Sequence, residues 1–191
     1  MRTITMGRDG LISGLTAEQN EEMIADFTQY DVVRRIERWS IREFMRENAH
    51  LLTGRVLDFG AGDEPYRDLV KGVYIPFHPG DKFQIDGAFR PVPQFDQIMC
   101  NQVTQYVSGL PRMLREMWHA LEYGGHLVMT FATNWDEVEE SDMFRYTKSG
   151  MTGLLHCSGF TIKKCERRAE VAHGGFRFPL GYGIVARKER T

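Results

Sequence analysis

The sequence has no surplus of positive charge. Its 24 Lys and Arg stand against 26 Asp and Glu, a formal net charge of −2. No global field is therefore available to hold a phosphate backbone, and a dedicated nucleic-acid binder is disfavoured. Cysteine is scarce: Cys100, Cys157 and Cys165 are the only three. Odd in number and far apart, they suggest neither a disulfide framework nor a paired-cysteine zinc site, and no metal is expected. Cys100 and Cys165 sit in apolar runs, where a buried free thiol is the expectation. No apolar run is long enough to span a membrane, and residues 1–14 hold no apolar stretch of signal-peptide length. A soluble, reduced, cytoplasmic protein is expected.

What is present is an ordinary globular composition, 42% apolar and 26% charged over 191 residues, enough for one domain with one substantial core. Residues 1–14 lack periodicity and read as a loose tail, with a single domain over 15–191. From Thr16 to His50 the pattern is helical. Thr16 is placed to cap a first helix bearing Met23, Ile24 and Phe27. A second helix from about Asp31 turns Val33, Ile36, Trp39 and Phe44 inward. Its arginines, Arg34, Arg35, Arg38, Arg42 and Arg46, interleave with Glu37, Glu43 and Glu47, the pattern of a solvated helix face.

An α/β core follows over 55–188. Val56 to Phe59 and Val73 to Phe77 read as strands, with a short helix from Tyr66 to Lys71 between them. Pro76, Pro79, Pro91 and Pro93 leave room for only a short extended piece around Phe83 to Asp86. Phe95 to Cys100 is a further strand. Leu110, Met113, Leu114, Met117, Trp118 and Leu121 mark an amphipathic helix, which Gly124-Gly125 is expected to stop. His126 to Ala132 reads as a buried strand, Lys148 to Cys157 as a helix closed by Gly159, and Phe160 to Cys165 and Gly183 to Lys188 as two last strands. Strands alternating with helices predict a mostly parallel sheet covered on both faces.

In such a sheet, ligands sit beyond the carboxyl ends of the strands. The first strand ends in Asp58-Phe59-Gly60-Ala61-Gly62, and glycines there let a ligand approach the main chain. No third glycine completes a dinucleotide fingerprint, and Asp63-Glu64-Pro65 puts two carboxylates where a pyrophosphate would lie. A Walker loop fails for want of its Lys-Ser/Thr. A ligand with a cationic centre and an ammonium group suits those carboxylates, and S-adenosylmethionine has both.

At this point the residues resemble a known family. Val56-Leu57-Asp58-Phe59-Gly60-Ala61-Gly62 looks like the first motif of class I S-adenosylmethionine-dependent methyltransferases. Phe95 to Asn101, with Val103, Tyr106 and Val107, resembles the family's fourth-strand segment, and Leu121 to Val128 its helix-to-fifth-strand junction. Asp142 to Thr147, Leu154-Leu155 and Gly159-Phe160 resemble the sixth segment of the small-molecule, type 11-like branch. The resemblance covers roughly Arg55 to Arg168.

It implies a Rossmann-like three-layer sandwich preceded by N-terminal helices. It also implies a cofactor site made of Asp58, Phe59, Gly60, Ala61, Gly62, His78, Asp86, Asn101, Gln102 and Tyr106, with S-adenosylhomocysteine as product. His78 departs from the family, which usually ends the second strand in an acid that accepts from the ribose hydroxyls. A neutral imidazole accepts one hydrogen bond only; Asp81 is the nearby substitute, and Asp86 the candidate for the adenine edge. Trp135, Arg145 and Tyr146 lie where an acceptor should enter.

Methyl transfer needs alignment and exclusion of water more than a dedicated triad. No catalytic residue is therefore prescribed, and His173, Tyr146 and His78 are the candidate bases. His156, on an apolar helix face, reads as a core histidine. The function implied is methyl transfer to a small-molecule or glycan-type hydroxyl or amine, without a membrane, and with a homodimer left open. The alternative is a degenerate methyltransferase fold serving as a binding or scaffolding module. A nucleic-acid or protein methyltransferase using the Arg34 to Arg46 face ranks last.

Overall fold

In the computed structural model, the described residues are 5–6, 12–13, 16–26, 32–78, 95–134, 140–173 and 176–190. The extended piece at Phe83, and Asp81, Asp86, Phe27 and Trp135, lie outside them, as do the side chains of Met23, Ile24, Val33 and His173. In chain order the elements are β1 (Thr5–Met6), β2 (Ile12–Ser13), α1 (Ala17–Asp26), α2 (Val32–Glu47), β3 (Thr53–Phe59), β4 (Lys71–Phe77), β5 (Phe95–Asn101), α3 (Leu110–Ala120), β6 (Leu121–Ala132), α4 (Lys148–Cys157), β7 (Thr161–Arg167), β8 (Glu170–His173), β9 (Phe176–Pro179) and β10 (Gly181–Arg187).

Six strands form one sheet in the order β4-β3-β5-β6-β10-β7. β4, β3, β5 and β6 are parallel, and β10 runs antiparallel between β6 and β7. Alternation along the strands sorts the apolar side chains into two layers. Leu57, Ile98, Cys100, Leu127, Met129, Phe131 and Ile184 pack with Leu110, Leu114 and Met117 of α3 and with Met151 and Leu155 of α4. Val56, Met99, Val128 and Val185 pack on the other face with Ile41, Phe44 and Met45 of α2. Met99, Met113, Met117 and Met129 are all core-filling. Of the cysteines, Cys100 is buried, Cys165 half-buried and Cys157 exposed.

Local chemistry sets the helix ends. Thr16 Oγ1 accepts from the Gln19 amide and Gln19 Oε1 accepts from the Thr16 amide, each at 3.1 Å, a reciprocal capping box for α1. Thr147 Oγ1 caps α4 by accepting from the Gly150 amide at 3.1 Å. The amides of Gly159 and Phe160 close that helix onto His156 and Leu155 carbonyls.

Several expectations need correction. The tail contains a two-stranded hairpin, β1 with β2. Tyr66 to Lys71 is no helix but a single 3-10 turn, Arg67–Leu69, because the crossover from Phe59 to Lys71 has only residues 60–70 to spend. Gly124-Gly125 does not stop α3, which ends at Ala120; both glycines lie inside β6, which starts at Leu121. The hairpin β8–β9 has no counterpart in the sequence reading. His156 is exposed on α4.

Candidate functional site

β3 delivers Asp58 to the carboxyl edge of the sheet, where the chain must leave the strand at once. Gly60 and Gly62 take φ of +79° and +54°, a region that side chains disfavour. A Cβ on Gly60 would also collide with Val103 Cγ2. The Gly60 and Ala61 amides donate to the Phe77 carbonyl at 2.9 and 3.1 Å, which pins the turn to the end of β4. Asp58 is 2% exposed, and Tyr74 of β4 donates its hydroxyl to Asp58 Oδ2 at 2.7 Å. Burial pushes the Asp58 carboxyl up to about 6; the Tyr74 hydrogen bond pulls it down, Glu64 pushes it up and His78 pulls it down.

β5 supplies the next wall. Asn101, Gln102 and Gln105 line the same pocket as Asp58, Gly60, Ala61 and Gly62, a cavity of about 650 Å³. Asn101 Oδ1 accepts from Thr130 Oγ1 at 3.1 Å, and Gln105 Nε2 donates to Gln102 Oε1 at 3.4 Å. This leaves Asn101 Nδ2, Gln102 Nε2 and Gln105 Oε1 buried without a hydrogen-bond partner. Turning both glutamine amides over would exchange donor and acceptor and still leave one of each. Each orphan costs about 1–3 kcal/mol, and all three belong to residues of the pocket wall.

Helix α2 and the segment after β6 close the pocket. Arg34, Glu37, Arg38 and Arg42 line it from α2, and Asp142 and Arg145 from the other side. Arg42 donates to the Pro65 carbonyl at 2.8 Å and to Asp68 Oδ2 at 2.8 Å, tying α2 to the glycine-turn loop. Arg145 pairs with the buried Asp142, and the Gln105 carbonyl accepts from the Met143 and Phe144 amides. Beneath α2 lies the fully buried side chain of Arg168, which donates to Ser40 Oγ at 3.0 Å and faces Glu37 Oε1 at 3.7 Å. Burial pulls its pKa down from the arginine value. Burial also pushes the nearby Tyr66 hydroxyl up to about 12, against the pull of Arg38 and Arg168.

No family model matches the chain, and no curated relative matches it in sequence. The architecture does match solved structures. An S-adenosylmethionine-dependent methyltransferase from Archaeoglobus fulgidus superposes with a TM-score of 0.60 at 13% identity, over 78% of this chain and 93% of that one. One from Mesorhizobium loti gives 0.56 at 15%, over 80% and 99%. The chain has the class I methyltransferase fold. The [4+2]-cyclase SpnF gives 0.57 at 15%, over 80% and 82%.

On this methyltransferase fold, seven of the ten expected cofactor residues, Asp58, Gly60, Ala61, Gly62, Asn101, Gln102 and Tyr106, line one pocket. Phe59 does not; it stacks on Phe77 at 4.8 Å between ring centroids. His78 is half-buried at the end of β4, close enough to act on Asp58 though not a lining residue. Asp86 lies outside the described residues. Arg145 lines the pocket; Tyr146 does not, and its carbonyl accepts from Thr133 Oγ1 at 3.2 Å. His173 falls in β8, paired with Phe176.

The sequence reading missed Gln105, Tyr66, Tyr74 and Asp142, and took the α2 arginines for a solvated face. Arg46, paired with Glu22 and Glu43, fits that description. Arg34 is exposed as expected, though it also lines the pocket; Arg38 and Arg42 are half-buried in the pocket wall, and the recurrence of the three at every fourth position was the available signal. Among the described residues no cluster of His, Cys, Asp or Glu could hold a metal, and no helix is long and apolar enough to cross a membrane.

Proposed function

We propose that this protein is an S-adenosylmethionine-dependent methyltransferase acting on a small-molecule or glycan-type hydroxyl or amine. The observation that carries the reading is the convergence at one pocket of a buried acid, a glycine turn and the polar residues Asn101, Gln102 and Gln105. The donor set fits the cofactor. Asp58 and Asp63 suit its cationic end, and Asn101, Gln102 and Gln105 make the facing stretch of wall polar. The turn 60–65 opens into no helix, only the Arg67–Leu69 turn, so a pyrophosphate would lack a helix N-terminus to meet.

When bound, the cofactor supplies an electrophilic methyl on a sulfonium. The chain's own task is positioning and drying. Gly60 and Gly62 keep the floor of the pocket free of side chains, Asn101 and Gln102 fix orientation, and α2 and the Asp142–Arg145 pair add to the pocket's walls. Alignment of this kind supplies much of the acceleration in a displacement whose leaving group needs no proton.

Calorimetric titration with S-adenosylhomocysteine tests the reading. Saturable heat is expected from the wild type and its loss from Asp58→Ala. No heat at millimolar ligand would overturn the proposal in favour of a non-catalytic role for the fold.

A further inference from the structure

The side chain of Arg168 belongs neither to the pocket lining nor to the surface. Its residue stands between the end of β7 and the start of β8, at one edge of the six-stranded sheet. Its amide donates to the Gly181 carbonyl at 3.0 Å, and its guanidinium passes Gly181 to reach α2. That path needs glycine at the start of β10, because a Cβ on Gly181 would lie 2.3 Å from Nη2. Under α2 the guanidinium donates to the Glu37 carbonyl at 3.4 Å and to Ser40 Oγ at 3.0 Å, and it faces Glu37 Oε1 at 3.7 Å. Ser40 Oγ donates to the same Glu37 carbonyl at 2.7 Å. Glu37 is therefore held at both its main chain and its carboxylate.

Glu37 is the link to the ligand site. It is 9% exposed and lines the pocket, where Arg168 does not. Its charge reaches the Tyr66 hydroxyl, to which Arg38 also hydrogen-bonds, and Tyr66 follows directly on the glycine-turn segment 60–65. Stability alone does not call for such a pair. Exchanging a buried ion pair for well-packed apolar residues of similar volume is often neutral or stabilising.

We infer that Arg168 is a positioning residue for the cofactor: it acts on a ligand that it does not touch, by fixing the Glu37 carboxylate in the pocket wall. This rests on the methyl-transfer reading of the same pocket. The cofactor brings an ammonium group and ribose hydroxyls, all of them donors that a carboxylate can accept. A carboxylate already held in place loses less freedom when the ligand arrives. The planar guanidinium fork fixes the direction of its partners in a way that a lysine ammonium does not.

The test is a double-variant cycle on the full chain, with S-adenosylhomocysteine affinity read by calorimetry and stability by denaturant unfolding. Arg168→Met should weaken S-adenosylhomocysteine by about fivefold or more. Arg168→Lys, which keeps the charge without the fork, should fall between that variant and wild type. In a Glu37→Gln background, Arg168→Met should alter affinity by less than about twofold, because the group it positions is already gone. A merely structural role would lower affinity equally in both backgrounds, in step with the loss of stability.

The inference is overturned if Arg168→Met binds S-adenosylhomocysteine as tightly as wild type does. It is also overturned if that change weakens binding as much in the Glu37→Gln background as in the wild-type one. Should Arg168→Met not fold, Arg168→Lys must weaken binding in the wild-type background and leave it unchanged in the Glu37→Gln one, or the inference fails. Wild type that binds no S-adenosylhomocysteine overturns the methyl-transfer reading, and this inference with it. Wild type that binds, beside an Arg168→Met variant that binds equally well, overturns this inference alone.

Discussion

Asp58 holds its charge against the pull of its surroundings, and that makes it the residue whose behaviour is easiest to check. Its folded pKa of about 6 lies above the ordinary aspartate value of 3.8, so the folded state binds the proton more tightly than the unfolded chain. The stabilisation from this site is fully present below the unfolded pKa and is lost as pH rises through 6. A rise of this size is worth about 3 kcal/mol at most. Asp58→Asn should therefore stabilise the fold above pH 7 by up to about that amount and leave it little changed near pH 4, read by denaturant unfolding at both pH values. Equal effects at the two would show that burial does not penalise this carboxylate. Tyr74→Phe removes the hydrogen bond that favours the charged form, so the Asp58 pKa should rise above 6, followed by carbon NMR of the carboxyl. A cationic ligand prefers ionised Asp58, so S-adenosylmethionine affinity should climb between pH 5 and 7 by no more than about tenfold per pH unit. Asp58 and the glycines were legible in the sequence because strand, acid and turn are contiguous there. The pKa was not, since it is set by burial, which raises it, and by Tyr74 reaching across from the neighbouring strand, which lowers it.

At the scale of elements, α2 is the piece that turns a sheet edge into a pocket, and its seat depends on a missing side chain. A Cβ on Gly183 of β10 would collide with the Phe44 ring, so α2 lies as close to the sheet as it does only because Gly183 is glycine. Gly183→Ala should cost about 1–3 kcal/mol by overpacking and should speed amide hydrogen exchange in α2 more than in α3, which packs on the opposite face. Uniform acceleration across both helices would mean that α2 is not seated there. Elements with a strong period, α3 and β5 above all, were readable from the sequence because the apolar repeat and the burial agree. The stretch 66–71 was not. Its apolar residues look helical, but a parallel crossover usually takes a dozen or more residues, and here Tyr66 turns inward to the α2 layer instead of extending a helix. Likewise Gly124-Gly125 reads as a stop by composition, while the turn from α3 into the sheet is made earlier, at Leu121, which pairs with Phe95.

Across the described residues, the two faces of the sheet are unequally covered, and this bears on what α2 is for. One face is shared by α3 and α4; the face carrying Val56, Met99, Val128 and Val185 depends on α2. Ile36, Trp39, Ile41, Phe44 and Met45 are all buried, and full burial of such side chains stabilises by about 1.5–3 kcal/mol each. Even discounted for a compact unfolded state, their sum is comparable to the whole stability of a domain, about 5–15 kcal/mol. On this count α2 is expected to belong to the folding unit rather than to act as a detachable lid. A chain beginning at residue 48 should lose its cooperative melting transition and bind a hydrophobic dye, since removing α2 bares one sheet face and leaves the Arg168 guanidinium without Glu37 and Ser40. Adding back a peptide spanning 16–47 should restore a transition if the surface it covers is otherwise intact. A truncated chain that melts as sharply as the full one, with dye binding unchanged, would assign α2 to the pocket alone and take it out of the core.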